Sequence, residues 1–479
     1  MQYTSTAKYR RSTEAALELA AALRLLIATD TRPCHVTSAR SMARASASAI
    51  LLCVLQCCVL WAAPSAAIGV WDDFSDGPAR STARTDQQPQ RAGADDSSTT
   101  LSCPTAPRAV PLPAQLPAEI ETILSGARGK LDQMWTASKA AGGSAAVVYG
   151  DRVLMTHTFG STASPQGGHA VDGDTIFRLG SVTKVFTDLM LHRMAEDSLL
   201  HATDPITSLA PEYSPAWPGA ANGSAPTPKG GTLRDLGSHM AGLPRALPCP
   251  SGECNYTTAE IMQVMNNWTL LAEPGTKLTY SNVGFALLGR LLERVDAPQY
   301  SPKGESWEDS LDKLAQVLGM GNTTARAPTD TGNLAYGLQW GQAAPLVDLG
   351  WGNPCGSVYS SANDMARFLS FLLRDGAARD DTKAQPLDSA TTRRWLRDRV
   401  LSNPSNLACD NCIEFTEWGE TWHVMRANIV QLGNFSQFYI VTKDGGIPGY
   451  NSYIALQVRT HALGSAPERV SQWFSRASR

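Results

Sequence analysis

The sequence predicts an α/β fold of the α+β type, in which distant parts of the chain share one discontinuous sheet. A β-hairpin pattern lies at 144–157, and helical patterns fill much of the chain between 181 and 375. Strand patterns then return at 436–443 and 450–458. Because helices separate the two groups of strands, the sheet can be completed only by segments that are far apart in sequence.

The composition excludes several classes of protein. Of the 479 residues, 43% are apolar and 18% are charged, which allows a sizeable core. The formal net charge of −3 gives no basic footprint, so nucleic acid is not expected as a partner. No stretch repeats with a period of roughly 20–50 residues, which argues against solenoids and propellers. An enzyme or a binding protein with one large domain and appendages remains.

The N-terminal part of the chain predicts a targeting segment behind a doubtful extension. An apolar, uncharged stretch at 49–63 follows Arg40 and Arg44 and precedes a run of small residues. This is the order of features in secretory signals. We therefore predict a signal peptide at 42–70, an over-extended start at 1–41, and a secreted or lumenal protein. The alternative is a signal anchor that stays in the membrane and tethers a lumenal domain, which is the only membrane contact expected.

Acceptor sites for N-linked glycans also favour export. A single Asn-x-Ser/Thr triplet is a weak signal, but several of them in the folded region favour a glycosylated chain. The candidates are Asn222, Asn255, Asn267, Asn322 and Asn434.

The cysteines that lie beyond the N-terminal segments are even in number, which in an exported chain suggests disulfide bonds. The spacing of Cys409 and Cys412 also occurs in zinc sites and redox dithiols. No second pair of this kind and no nearby pair of histidines completes a metal site, so we predict no metal and no other cofactor. The predicted disulfides are Cys249–Cys254, Cys409–Cys412 and Cys103–Cys355.

Residues 71–112 are rich in Asp, Ser, Gln, Arg and Pro and predict a disordered spacer. From 113 onward apolar periodicity returns, and we assign 113–479 to one folded domain. The elements follow from the spacing of apolar residues and from a Gly-Asp turn in the first hairpin. They are a helix at 118–137, strands at 144–149 and 152–157, helices at 181–198, 258–267, 281–296, 307–318 and 361–375, and strands at 436–443 and 450–458.

The helix at 181–198 begins with Ser181 and Lys184, which are three residues apart and share one side of its first turn. A serine hydroxyl is a weak nucleophile until a neighbouring group takes its proton. A lysine among apolar neighbours is costly to ionise, so its pKa falls and it can be that base. The simpler interpretation is a helix cap and a surface lysine, since Ser-x-x-Lys also occurs at Ser5 and Ser310.

Two further segments carry residues suited to catalysis. Tyr280 and Asn282 lie where an extended stretch meets the helix at 281–296. A tyrosine in that position can transfer a proton if a nearby cation lowers its pKa. Lys443 ends a predicted strand and precedes glycines that let a substrate lie against the strand edge. The structural alternatives are a core tyrosine and a hairpin turn with an exposed lysine.

Ser-x-x-Lys, then Tyr-x-Asn, then Lys-x-Gly near the C-terminal end resembles the motif pattern of the serine β-lactamase-related family. This family includes class C β-lactamases, D,D-peptidases and eukaryotic serine β-lactamase-like proteins. The segments 176–184, 237–244 and 357–368 are also similar to family segments. The resemblance covers about 115–460 and implies a β-lactamase/transpeptidase-like fold, with an antiparallel sheet flanked by helices and an all-helical subdomain.

The resemblance implies an exported serine hydrolase that cleaves an amide or ester of a small molecule or peptide through an acyl-enzyme. Ser181 would attack the carbonyl carbon. Lys184 would take the serine proton, or hold the charge balance that lets Tyr280 take it. Tyr280 would pass a proton to the leaving group and later activate water.

The resemblance also implies supporting residues. Asn282 would orient the substrate or the base. Lys443 would keep the tyrosine ready for proton transfer and attract a substrate carboxylate or another polar group. The backbone N–H groups of Ser181 and Gly446, with Gly445 beside them, would form the oxyanion hole.

Two departures from the family pattern matter. Asp444 follows Lys443 where penicillin-recognising members have a hydroxyl residue, which favours an esterase or peptidase over efficient antibiotic hydrolysis. The family also has a strand and a packing helix after the strand at 450–458, whereas 460–479 is a polar tail with a short helix pattern at 467–475. A truncated C-terminus or a lost strand favours the alternative function, a catalytically silent binding or structural protein of the secretory pathway.

His239 is the histidine best suited to a Ser-His-Asp triad. Its context resembles a structural turn of the same family, with the imidazole in a local hydrogen bond, and we favour that structural role. Trp418 and Trp422 either line a cleft or belong to the core.

Overall fold

The computed structural model confirms the α+β class, and the helices and strands predicted between 118 and 458 are present within a few residues of their predicted bounds. The strands Ile413–Trp418 and His423–Ile429 and the helix Ser389–Arg397 are among the elements that were not predicted. The described residues are 56–62, 112–138, 140–165, 167–217, 230–249, 253–296, 304–339, 341–377, 385–398, 400–402, 413–429 and 436–458.

Helices occupy most of the middle of the chain, and two single turns of 3₁₀ helix, Gly180–Val182 and Gly350–Gly352, lie among them. The α-helices are α1 (Ala118–Ser138), α2 (Thr183–Glu196), α3 (Ile206–Leu209), α4 (Leu233–Gly237), α5 (Thr258–Asn266), α6 (Asn282–Leu292), α7 (Trp307–Val317), α8 (Asn353–Gly356), α9 (Ala362–Leu373) and α10 (Ser389–Arg397). The strands are β1 (Gln56–Ala62), β2 (Gly142–Tyr149), β3 (Arg152–Gly160), β4 (Ile176–Arg178), β5 (Leu338–Gln339), β6 (Gln342–Ala343), β7 (Tyr359–Ser361), β8 (Leu401–Ser402), β9 (Ile413–Trp418), β10 (His423–Ile429), β11 (Ser436–Ile447) and β12 (Tyr450–Val458).

An antiparallel sheet of eight strands forms the main β layer, in the order β3-β2-β1-β12-β11-β10-β9-β8. Strands from both ends of the chain lie side by side, as the separated strand patterns predict. β11 carries Lys443 and pairs with β10 on one side and β12 on the other. β11 is therefore paired on both edges as far as Thr442, whereas the part from Lys443 to Ile447 pairs with β12 alone.

The strand between β2 and β12 comes from the N-terminal part of the chain. Gln56–Ala62 runs antiparallel to Gly142–Val148 of β2, and the same strand pairs with Tyr450–Ala455 of β12. The position beside β12 is thus filled, although not by the C-terminal strand that the family pattern leads one to expect. The signal predicted at 42–70 overlaps this strand and stays a prediction. Within the described ranges, no helix is both long enough and apolar enough to span a membrane.

Helix α2 runs through the centre of the molecule and is buried on its polar side as well as on its predicted apolar face. Thr183 Oγ1 accepts a hydrogen bond from the backbone N–H of Val358 at 2.9 Å. Thr187 Oγ1 donates one to the carbonyl of Pro354 at 2.7 Å. Because buried hydroxyls need such partners, these bonds fix α2 against the segment that contains α8.

The structure contains the predicted Cys249–Cys254 disulfide. Cys355 is a buried free thiol, so its predicted pairing with Cys103 is wrong. Cys355 lies in α8, which packs against α2 in the core. Asn255 and Asn267 are exposed, and Asn322 is half-buried. Cys103, Cys409, Cys412, Asn222, Asn434 and the short helix predicted at 467–475 lie outside the described residues.

Candidate active site

Ser181 lies in the 3₁₀ turn that leads into α2 and is half-buried. Gly180 before it has a φ of +53°, a left-handed conformation that favours glycine. A Cβ at Gly180 would lie 2.9 Å from the backbone nitrogen of Gly446. The turn and the end of β11 therefore pack backbone against backbone, which brings Ser181 next to the glycines of that strand.

Lys184 and Tyr280 meet at the Ser181 hydroxyl. Lys184 Nζ lies 3.1 Å from Ser181 Oγ, and the Tyr280 hydroxyl donates a hydrogen bond to the same oxygen at 2.8 Å. Lys184 Nζ also donates to Asn282 Oδ1 at 2.8 Å and to the carbonyl of Cys355 at 2.7 Å. The structure thus brings together candidates that the sequence places in two separate segments.

The Lys184 side chain is completely buried, and its three hydrogen-bond partners are all uncharged. Burial is the main cause that lowers the pKa of Lys184 to about 8, and the nearby Arg245 guanidinium acts in the same direction. A substantial fraction of the amine is therefore neutral at mildly alkaline pH. A neutral amine in this position can accept the proton of Ser181.

Cations surround the ring of Tyr280. Its centroid lies 5.0 Å from Lys184 Nζ, 4.7 Å from Arg245 Cζ and 5.5 Å from Lys443 Nζ. Burial nevertheless raises the pKa of Tyr280, and the Lys443 charge offsets this only in part. The expected lowering by a cation does not prevail, so the phenol is protonated near neutral pH. This state agrees with its hydrogen bond to Ser181.

Lys443 lies on β11 with its ammonium group turned toward the next residue. Lys443 Nζ donates to the backbone carbonyl of Asp444 at 3.2 Å and lies 3.7 Å from Asp444 Oδ1. The same carboxylate oxygen lies 3.3 Å from Nδ1 of His423 on β10. Burial and the Lys443 charge lower the pKa of His423 to about 3, so its imidazole is neutral.

Gly445, near the end of β11, has no room for a side chain beside Ser181. A Cβ at Gly445 would lie 1.9 Å from the carbonyl oxygen of Leu179 and 3.0 Å from the backbone nitrogen of Ser181. Ser452 of β12 donates a hydrogen bond to the same Leu179 carbonyl at 2.6 Å. The backbones of Ser181 and Gly446 thus lie on neighbouring segments, which an oxyanion hole built from their N–H groups requires.

His239 packs against Tyr280 and makes no described hydrogen bond to Ser181. Its Nδ1 accepts a hydrogen bond from the backbone N–H of Ser281 at 3.1 Å, and its ring centroid lies 4.2 Å from that of Tyr280. Burial and the nearby lysines lower the pKa of His239 well below its usual range, so the ring is neutral. The local hydrogen bond favoured from the sequence is present. Trp418 is half-buried near this ring, whereas Trp422 is fully buried in the core.

Sequence reasoning missed Arg245 and His423 as neighbours of the site. Arg245 is exposed, and its backbone carbonyl accepts a hydrogen bond from the N–H of Asn282 at 2.9 Å. Its only signal is its place after the family-like segment that ends at Pro244. His423 reaches the site because β10 pairs with β11, and the strand register that sets this is not readable from periodicity.

Two α2 residues beyond the site, Asp188 and His192, lie close to Glu420 in a cluster of side chains that could bind a metal ion. This cluster was not predicted from the sequence. Donor atoms of Asp188, His192 and Glu420 lie within 4.8 Å of one another. Arg234 forms an ion pair with Glu420, and Trp395 Nε1 donates to Asp188 at 2.6 Å. Because Arg234 already supplies a positive charge, we interpret the cluster as an ion-pair network and assign no metal to it.

The family model described as Beta-lactamase matches residues 127–456, which is more than half of the chain. The chain therefore belongs to the Beta-lactamase family. This membership agrees with the sheet and with the grouping of Ser181, Lys184, Tyr280 and Lys443.

Individual relatives are distant. The chain is 31% identical to beta-lactamase-like 1 of Homo sapiens over 368 residues, which cover 74% of this chain and 66% of that protein. It is 28% identical to beta-lactamase-like protein 2 of Dictyostelium discoideum over 325 residues, covering 65% of this chain and 53% of that protein. The chain thus spans less than two thirds of the length of these relatives.

Solved structures show the same fold. The β-lactamase/D-alanine carboxypeptidase from Pseudomonas syringae is similar with a TM-score of 0.52 and 17% identity, covering 71% of this chain and 94% of that chain. A class C β-lactamase from Rhodobacter sphaeroides is similar with a TM-score of 0.51 and 20% identity, covering 69% and 93%. The β-lactamase/transpeptidase-like fold implied by the motifs is therefore confirmed.

Gly445→Ala and Gly446→Ala form a matched test of the strand end. A Cβ at Gly445 collides with the Leu179 carbonyl, whereas a Cβ at Gly446 meets only Asn451 Oδ1 at 3.7 Å. Displacing an oxyanion donor costs about 100-fold or more, so Gly445→Ala should slow fluorophosphonate labelling of Ser181 by about that factor. Gly446→Ala keeps the N–H group and should slow labelling far less. Labelling rates and melting temperatures measure both, and equal losses would contradict the packing described.

Proposed function

We propose that the chain is a serine hydrolase that cleaves an ester or amide through an acyl-enzyme on Ser181. The observation that carries this proposal is the Ser181 hydroxyl, which lies 3.1 Å from the amine of Lys184 and 2.8 Å from the phenol of Tyr280. A hydroxyl placed between a base of lowered pKa and a proton donor is the arrangement that nucleophilic acyl transfer needs.

Acylation begins when the neutral amine of Lys184 takes the proton of Ser181. We assign this base role to Lys184 and not to Tyr280, because burial lowers the pKa of the amine and raises that of the phenol. Ser181 Oγ then bonds to the carbonyl carbon, and the N–H groups of Ser181 and Gly446 stabilise the oxyanion. Tyr280 protonates the leaving group as its bond to the carbonyl carbon breaks, and the Lys184 ammonium returns a proton to the phenol.

Deacylation uses the same groups in the opposite sense. A water molecule attacks the acyl carbon and gives its proton to the amine of Lys184, either directly or through Tyr280. As the acid product forms, Ser181 Oγ leaves and takes this proton from the Lys184 ammonium, which restores the neutral amine. Asn282 holds Lys184 Nζ at 2.8 Å throughout, which keeps the base next to the reacting oxygen.

Covalent labelling with a fluorophosphonate tests the nucleophile. The unmodified chain should be labelled, and Ser181→Ala should lose the label. Ser310→Ala is the matched control, because Ser310 and Lys313 form a second Ser-x-x-Lys in which Lys313 pairs with Glu305. It should keep full labelling. Absence of a Ser181-dependent label on folded protein would favour the catalytically silent binding or structural role.

The pH dependence of kcat/KM for an uncharged ester tests the base. Only the neutral form of Lys184 accepts a proton, so kcat/KM should rise with pH through a midpoint near 8, the lowered pKa of this amine. Below that midpoint activity should fall about ten-fold per pH unit, since the ammonium form is inactive. His239 and His423 are neutral in this range and should add no transition. A midpoint near 6.5 would instead support a histidine base.

Export to the secretory pathway is a further part of the proposal. The Cys249–Cys254 disulfide and the exposed acceptor sites Asn255 and Asn267 support it. The chain expressed in eukaryotic cells should shift in mobility after enzymatic deglycosylation, and Asn267→Gln should reduce the shift. No shift in the unmodified chain would contradict export. N-terminal sequencing of the same material shows whether 42–70 is removed or β1 is kept.

A further inference from the structure

The ammonium group of Lys443 is closed to a substrate anion by the residue that follows it. The Lys443 side chain is only 1% exposed, and its Nζ donates to the carbonyl of Asp444 and lies 3.7 Å from Asp444 Oδ1. The Asp444 side chain is 37% exposed. The charged group that a bound molecule meets at this point of β11 is therefore a carboxylate.

The buried ammonium of Lys443, 3.7 Å from Asp444 Oδ1, offsets part of this negative charge, and the other described neighbours add little to that. His423 lies 3.3 Å from Asp444 Oδ1 but is neutral. Lys184 is completely buried and bonded to three uncharged acceptors. Arg245 is exposed, so solvent screens its charge, and its guanidinium lies over the Tyr280 ring. Of these cations, Lys184 and Lys443 are too buried for a substrate to reach, and Arg245 is accessible but screened by solvent.

We propose that Asp444 makes this a site for uncharged acyl compounds, namely esters or amides whose leaving group carries no carboxylate. The proposal rests on the hydrolase function proposed above. Lys443 Nζ lies 5.5 Å from the ring of Tyr280, the residue that protonates the leaving group, so Asp444 is on the leaving-group side. A leaving-group carboxylate there would face a like charge, and such repulsion is an effective source of specificity.

Two phenylacetate esters that differ only in their leaving group provide the test. One releases 3-hydroxybenzoate and the other 3-hydroxybenzamide, so they differ by one negative charge next to the scissile bond. After correction for uncatalysed hydrolysis, the unmodified chain should show a kcat/KM at least ten-fold higher for the carboxamide ester. Asp444→Ser should lower this ratio ten-fold or more. The ratio cancels any effect of the substitution on the acylation steps that both esters share.

Three further variants complete the test. Asp151→Ser removes the same charge from the exposed turn between β2 and β3, at the opposite end of the sheet from Gly446, and should leave the ratio within two-fold. Asp444→Asn keeps the side-chain size and should lower the ratio even if serine weakens the strand. Arg245→Gln should leave the ratio within two-fold, because its charge is screened.

The outcomes separate two kinds of failure. If no variant hydrolyses either ester and no Ser181-dependent label forms, the hydrolase proposal itself is wrong. If both esters are hydrolysed but folded Asp444→Ser and Asp444→Asn leave the ratio unchanged, only the role of Asp444 is wrong. A preference for the carboxylate ester that Arg245→Gln removes would also overturn it and would identify Arg245 as an anion-binding residue.

Discussion

The burial of one amine, that of Lys184, is the constraint on which the site depends. An ammonium group in the protein interior costs free energy, and three uncharged acceptors offset only part of that cost. The remainder lowers its pKa to about 8. Because Lys184 lies on the polar side of α2, that side must be buried too. The hydrogen bonds of Thr183 and Thr187 to the segment around Cys355 meet this requirement, and the same segment supplies a carbonyl to the amine.

The same burial sets the protonation state of the neighbouring rings. Desolvation disfavours the charged form of each imidazole, and the lysine charges add to this effect at His239 and His423. Desolvation also disfavours a phenolate at Tyr280. The histidines therefore act as neutral packing and hydrogen-bonding groups. In the proposed mechanism, proton transfer near neutral pH is left to the hydroxyl of Ser181, the amine of Lys184 and the phenol of Tyr280.

Local sequence patterns predicted the elements and the candidate reacting groups, and they failed where residues meet across the chain. Ser181 and Lys184 share one helical turn, so their proximity follows from spacing alone. The contact between Asp444 and His423 depends on the pairing of β10 with β11, which spacing does not reveal. Cys355 shows the limit of counting, because an even number of cysteines does not reveal which of them are paired.

The apolar segment at 49–63 shows why sequence cannot decide between two uses of the same residues. The apolar centre of a secretory signal and a strand inside a sheet both need a short run without charges. In the structure, β1 pairs with Gly142–Val148 of β2 and with Tyr450–Ala455 of β12. If the segment were removed, both would present unpaired backbone edges. Since β12 also pairs with the end of β11 that holds Gly446, loss of the N-terminal segment would remove a neighbour of the strand that supports the proposed oxyanion hole.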